Sequence, residues 1–221
     1  MARFSLNLFE DRLGARASTG LSLKPINRVL YVKSGMATVA TEKNTATLSE
    51  NSAWFSAKEI SVQAGSEGTL ILRYELVGLG TPKLELKNED ASTTLLMSSD
   101  IELDPAGHYL IRCDRVDLPP GGIAYTHTHQ GPGIRCLLEG GFRVETNGQT
   151  TDVAPGEAWF ETGPDPVLAY APPDRPGCFS RVMLLPQSFK GKSSISYVNA
   201  DDADKPKLQR YTIFIDEFIT L

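Results

Sequence analysis

The sequence predicts an all-β protein made of two related halves, and three observations carry that prediction. Short apolar or alternating runs rich in β-branched and aromatic residues recur along the chain, with Gly, Pro, Asn and Asp between them. Helical periodicity sustained over three turns is missing. One segment also repeats at a fixed offset without a gap.

The runs are RVLYVKSG, GTLILRYEL, HYLIRCDRVDL, GIRCLLEGGFRVET and RYTIFIDEFITL. Their length and turn punctuation suit a sandwich or barrel, and 19 glycines and 14 prolines supply the tight turns such a fold needs. Placing Arg28–Ser56 above Gly133–Glu161, at an offset of 105, gives seven identities in 29 positions. The identities are Gly35/Gly140, Val39/Val144, Thr41/Thr146, Thr45/Thr150, Ala53/Ala158, Trp54/Trp159 and Phe55/Phe160. The only two tryptophans fall on each other, each inside AWF. An ungapped register that pairs the rarest residues is best explained by duplication. The register reaches LILRYEL and FSRVMLL only if the second half holds a few extra residues near PPDRPG.

The expected organisation is a first barrel over 1–80, a polar crossover over 81–94, a second barrel over 95–190, and an excursion with a closing strand over 191–221. RYTIFIDEFITL is too apolar for a loose tail and is expected to join a sheet of the first half or of a neighbouring subunit. A net charge of −5 and no basic stripe argue against nucleic acid. Glu10 and Asp11 interrupt any secretory apolar region, and no apolar run is long enough to span a bilayer. Cys113, Cys136 and Cys178 have no CxxC spacing and read as free, packed thiols. The expectation is a soluble cytoplasmic protein that forms a homodimer.

Only three histidines occur, and two of them stand one residue apart in YTHTHQ. Residues i and i+2 of a strand face the same way, so Tyr125, His127 and His129 are expected on one face. Two imidazoles there can converge on one ion, or they can lie on a solvated face.

The flanking sequence GGIAYTHTHQGPGIRCLLEGGFRV, followed by VAPGEAWFETGPDPV, resembles the cupin superfamily. Gly121, five residues, His127-Thr128-His129 and then Leu138-Glu139-Gly140 follow the family's first motif, and Ala154-Pro155-Gly156 echoes its second. The resemblance covers about residues 110–186, and the repeat extends it to the first half. It implies two jelly-roll (RmlC-like) barrels, a bicupin, and a divalent metal (Fe, Mn, Ni or Zn) held by histidines and a glutamate. The family's glutamate ligand falls on Gly133 and its last histidine on Val167, so two of the usual four ligands are missing.

Glu161 is the candidate third ligand, since its repeat partner is Ser56; the alternative is a strand-end carboxylate facing water. Arg135 shares the face that the family gives its glutamate, as a clamp for a substrate carboxylate or as an internal ion pair with Glu161. Tyr125 is a candidate hydrogen-bond donor to a ligand or a wall residue, and Trp159 is read likewise. His108, Glu139 and Glu157 are expected at the surface. At the 105 offset His127 and His129 fall on Ser22 and Lys24, so the first barrel is expected to be scaffold. The function expected is a metal-dependent bicupin enzyme acting on a small, carboxylate-bearing molecule, with dioxygenase, isomerase and lyase chemistry all open. The alternative is a non-catalytic barrel that binds or senses a small ligand.

Overall fold

Every run that reads as β in the sequence lies in a strand of the computed structural model, which describes residues 1–19 and 22–221. The chain divides into two units, Met1–Gly107 with Ile219–Leu221, and His108–Phe218.

The first unit holds β1 (Ala2–Leu13), β2 (Asn27–Ala40), β3 (Thr45–Ser49), β4 (Ser52–Ser56), β5 (Ser61–Gly78), β6 (Lys87–Asn88) and β7 (Ala91–Leu103). They run β3-β2-β5-β1-β7-β6 in one bent sheet, with β4 also paired to β2. Leu13, Leu30, Val32, Val39 and Ile71 pack in its core. Beside that core runs a buried ionic chain. Arg28 bonds Glu75 at 2.7 Å, and Arg73 bonds Glu75 at 2.7 Å and Asp11 at 2.6 Å.

This unit is longer than its expected 80 residues. The strand β7 pairs antiparallel with β1 from Ala91 to Leu103, so the second part of the expected crossover is sheet. Residues 95–107, expected at the start of the second barrel, belong to the first unit, and because much of β7 is exposed or half-exposed its sequence does not show which sheet it joins.

The second unit holds β8 (Tyr109–Leu118), β9 (Ile123–His129), β10 (Gly133–Gly140), β11 (Phe142–Thr146), β12 (Gln149–Val153), β13 (Ala158–Glu161), β14 (Val167–Tyr170), β15 (Gly177–Pro186), β16 (Ile195–Tyr197), a short helix α1 (Ala200–Ala203) and β17 (Arg210–Ile219). One sheet runs β13-β10-β15-β8-β17 and the other β12-β11-β14-β9-β16. Their inner faces meet in a core that takes Val116, Leu137 and Phe179 from the first and Phe142, Val144 and Ala169 from the second. The closing strand β17 therefore edges the second unit's own sheet, and only its last residue and the two after it fall in the first unit. Arg112 on β8 holds it there through Asp216, at 2.9 and 3.1 Å.

Strand pairing carries the duplication into three dimensions. Leu30 pairs with Trp54 and Arg28 with Ser56, just as Arg135 pairs with Trp159 and Gly133 with Glu161. On the other side, Leu30 faces Arg73 while Arg135 faces Arg181. From 73 to 181 is 108 positions where 30 to 135 is 105, so the second half carries three extra residues between β13 and β15, the interval that contains PPDRPG.

Candidate functional site in the second barrel

The polar site of the second unit is built from adjoining strands of both sheets. Strand β9 brings His127 and His129, both about 5 % exposed, to the inner face. Strands β10, β13 and β15 add Arg135, Trp159 and Glu161, and Arg181. The cavity among them is about 20 Å³, room for one water molecule.

His127 Nδ1 lies 2.6 Å from the Tyr125 carbonyl, so Nδ1–H donates there and Nε2 is left as a lone-pair donor. That Nε2 lies 3.2 Å from His129 Nε2, with the rings edge to face. His129 Nε2 also lies 3.2 Å from Glu161 Oε2. Burial lowers the His127 pKa and takes His129 down to about 3, against the opposing pull of Glu161, so both rings are neutral at pH 7. The His129–Glu161 contact is therefore a hydrogen bond to a carboxylate rather than an ion pair. His129 Nδ1 is buried without a partner.

Glu161 is held from three sides. Arg135 Nη2 stands 2.6 Å from Oε2, and Trp159 Nε1 donates to Oε1 at 2.9 Å. Burial alone would raise this carboxyl, but Arg135, His129 and Trp159 together hold it well below the usual carboxylate range. Arg135 also donates to the Gly133 carbonyl at 2.6 Å. Behind it, Arg181 makes a two-pronged bond to Asp114 at 2.9 and 2.6 Å.

His127, His129, Arg135, Trp159 and Glu161 thus meet in one cavity, and Tyr125 does not join them. The β9–β14 register shifts between Ala124, opposite Ala169, and His127, opposite Val167. Two residues of β9 there span one of β14, a bulge that turns Tyr125 off the histidine face. Its ring instead receives Lys205 and Lys207, at 4.8 and 5.5 Å. His108, Glu139 and Glu157 are exposed. The three cysteines are buried and outside any disulfide, and burial pushes the Cys178 thiol up to about 12.

Sequence reasoning missed Arg181, Tyr211 and Gln209, which also line the cavity. Arg181 was findable, because the repeat pairs it with Arg73. Gln209 leaves no mark in the sequence, since the segment before β17 folds back over the site.

The histidines suit two positions in the shell of a divalent ion. They are neutral, and 3.2 Å is a separation that two nitrogens take around an ion at about 2.0–2.1 Å. Glu161 does not stand free as a third ligand, because its inward oxygen faces Arg135. Among the described residues, no three His, Cys, Asp or Glu side chains form a metal-holding group. Gly133 has no room for the family's glutamate: a Cβ there would lie 2.5 Å from the Val182 carbonyl oxygen and 2.7 Å from Met183 Cγ.

Two strand-built units related by a repeat, the second carrying paired histidines on an inner strand, define a bicupin fold. The comparisons agree on that fold. A tryptophan variant of Bacillus subtilis oxalate decarboxylase superposes with a TM-score of 0.65 at 16% identity, covering 90% of this chain and 73% of that one. A serine variant of the same enzyme gives 0.64 at 16%, over 93% and 74%. A third, from work on the Mn(II) centres of that enzyme, gives 0.63 at 16%, over 90% and 73%. No protein-family model and no curated protein sequence matches the chain. No helix among the described residues is long and apolar enough to cross a membrane.

Proposed function

We propose that the second barrel binds a small carboxylate-bearing molecule together with a divalent metal ion held by His127 and His129. The observation that carries this reading is the pair of neutral imidazoles whose Nε2 atoms stand 3.2 Å apart inside the cavity. Charge balance supports it. Arg135 is matched by Glu161 and Arg181 by Asp114, so the site is neutral as it stands. A carboxylate entering it would bring a buried, unmatched negative charge, which is strongly unfavourable unless a cation accompanies it. The ion would act as a Lewis acid, or as an oxygen-binding centre if it is iron.

The chain's own residues have distinct parts in this reading. The Tyr125 carbonyl fixes the His127 ring with Nε2 inward. To hold an ion through Nε2, His129 would carry its single proton on Nδ1 and would give up its bond to Glu161. Trp159 and Arg135 position Glu161, and the apolar wall of Phe142, Val167 and Phe179 excludes water. The fold neighbours are oxalate decarboxylases, one named with Mn(II) centres, which supports manganese among the candidate metals and a small carboxylate as ligand. Fold likeness does not name the reaction, and dioxygenase, isomerase and lyase chemistries remain open.

A second reading is a metal-free barrel that binds or senses a small ligand. The Arg135–Glu161 pair favours it, because a guanidinium already neutralises the carboxylate that a metal would use. Elemental analysis after expression in metal-supplemented medium, with His127→Ala as control, separates the two. Near one ion per chain, lost in His127→Ala, is the result expected. Less than about one-tenth of an ion per chain would overturn the metal reading and leave the second.

A further inference from the structure

Gln209 lines the cavity with both polar atoms of its amide buried and neither in a well-formed hydrogen bond. It stands near enough to the Tyr197 and Tyr211 hydroxyls to influence both, without forming a well-aligned bond to either. Exchanging the amide oxygen and nitrogen changes nothing, since both are unpartnered. The same cavity contains the unpartnered His129 Nδ1. A buried polar atom without a partner is costly, so several in one cavity mark where a partner belongs.

An amide that presents an acceptor and a donor side by side is matched by a group that does the same. A hydroxyl both gives and accepts a hydrogen bond, whereas an ionised carboxylate only accepts. A second carboxylate at Gln209 would leave Oε1 facing another acceptor. It would also add a negative charge to a site whose arginines are already paired.

We infer that Gln209 reads a hydroxyl on the ligand, so that this barrel selects small hydroxy monocarboxylates over dicarboxylates and over acids with no hydroxyl. The inference rests on the proposed function, with the carboxylate at the histidine end of the cavity and the hydroxyl at Gln209. The cavity at present holds about one water, so the segment that bears Gln209 must shift as a ligand enters.

The test is calorimetric titration of the full-length, Mn(II)-loaded protein with glycolate, acetate and oxalate, on wild type, Gln209→Met and Gln209→Asn. The expected result is glycolate bound about tenfold more tightly than acetate or oxalate by wild type. Gln209→Met, of similar size and with no donor, should bring the glycolate-to-acetate ratio close to one while acetate affinity holds. Gln209→Asn should retain part of the preference. If Gln209→Met weakens all three acids equally, or leaves the ratio unchanged, the residue is structural or satisfied by water, and the inference fails while the proposed function stands. If wild type binds none of the three, both fall. Unchanged thermal midpoints in the variants exclude unfolding as the cause.

Discussion

Val167 lies directly across the β9–β14 pair from His127. It lines the histidine cavity, at the position where the cupin pattern has its last histidine. The missing ligand is thus a matter of one side chain on a strand already in place. Val167→His should supply a third imidazole and raise Ni(II) or Zn(II) affinity by at least about tenfold, read by competition with a chelating dye. Gly133→Glu should fail, because even its Cβ collides with the backbone of β15. It should lower the thermal midpoint without adding affinity.

The ion pair between Arg135 and Glu161 makes a second prediction. Both are buried, so removing one partner leaves the other's charge unmatched. Glu161→Gln should destabilise the second unit by about 3 kcal/mol in urea denaturation, even though the amide can still accept from Trp159. Arg135→Met combined with Glu161→Gln should recover most of that loss, since no charge is then stranded. A double variant as unstable as the two single losses summed would mean that the pair acts through packing alone.

Acidification gives a third prediction, for protein stripped of metal with a chelator. His129 titrates near 3 in the folded chain and near 6.5 when unfolded, and His127 shifts the same way. Between those values the unfolded chain binds more protons than the folded one, so stability is fully present above about pH 6.5 and is lost as pH falls. For His129 alone the loss from pH 7 to 5 is about 2 kcal/mol. Glu161, also depressed, adds to it only below about 4.5. Urea midpoints followed by tryptophan fluorescence in a Trp54→Phe background, which leaves Trp159 as the reporter, should fall over pH 7–5 and less steeply once His129→Gln is added.

Much of this was legible in the sequence, for identifiable physical reasons. Strands whose faces are buried must be apolar, so RVLYVKSG and GTLILRYEL announced themselves. The cupin resemblance put Arg135 on the histidine face, and the repeat marked Glu161 as a carboxylate that the first half lacks. Tyr125 was misplaced because the one extra residue of a bulge leaves no pattern in the sequence, yet it reverses which side chains share a face. The strand β7 was split between the crossover and the second barrel because a mostly exposed, polar strand carries little apolar signal to show which sheet it joins. Gln209 was invisible because its position depends on how the segment after β16 closes over the barrel, and nothing local sets that.

The repeat makes a last prediction about backbone rather than chemistry. Gly35 and Gly140 are repeat partners with φ of +78° and +80°, the first at an irregularity inside β2 and the second at the end of β10. A Cβ at Gly140 would lie 1.8 Å from the Pro176 carbonyl oxygen, and one at Gly35 would lie 2.3 Å from that of Gly68. Gly148, in the β11–β12 turn, has φ of +71° but open space around it. The left-handed backbone penalises alanine by about 1–2 kcal/mol at all three sites, and only the first two add a clash with rigid backbone. Gly35→Ala and Gly140→Ala should each therefore cost more than about 2 kcal/mol, against about 1 kcal/mol for Gly148→Ala. Asparagine, which tolerates the left-handed region, should rescue only position 148. Equal losses at all three sites, measured by urea denaturation, would mean that conformation alone fixes these glycines. The close approach of the two backbones would then not be the reason both halves keep one there.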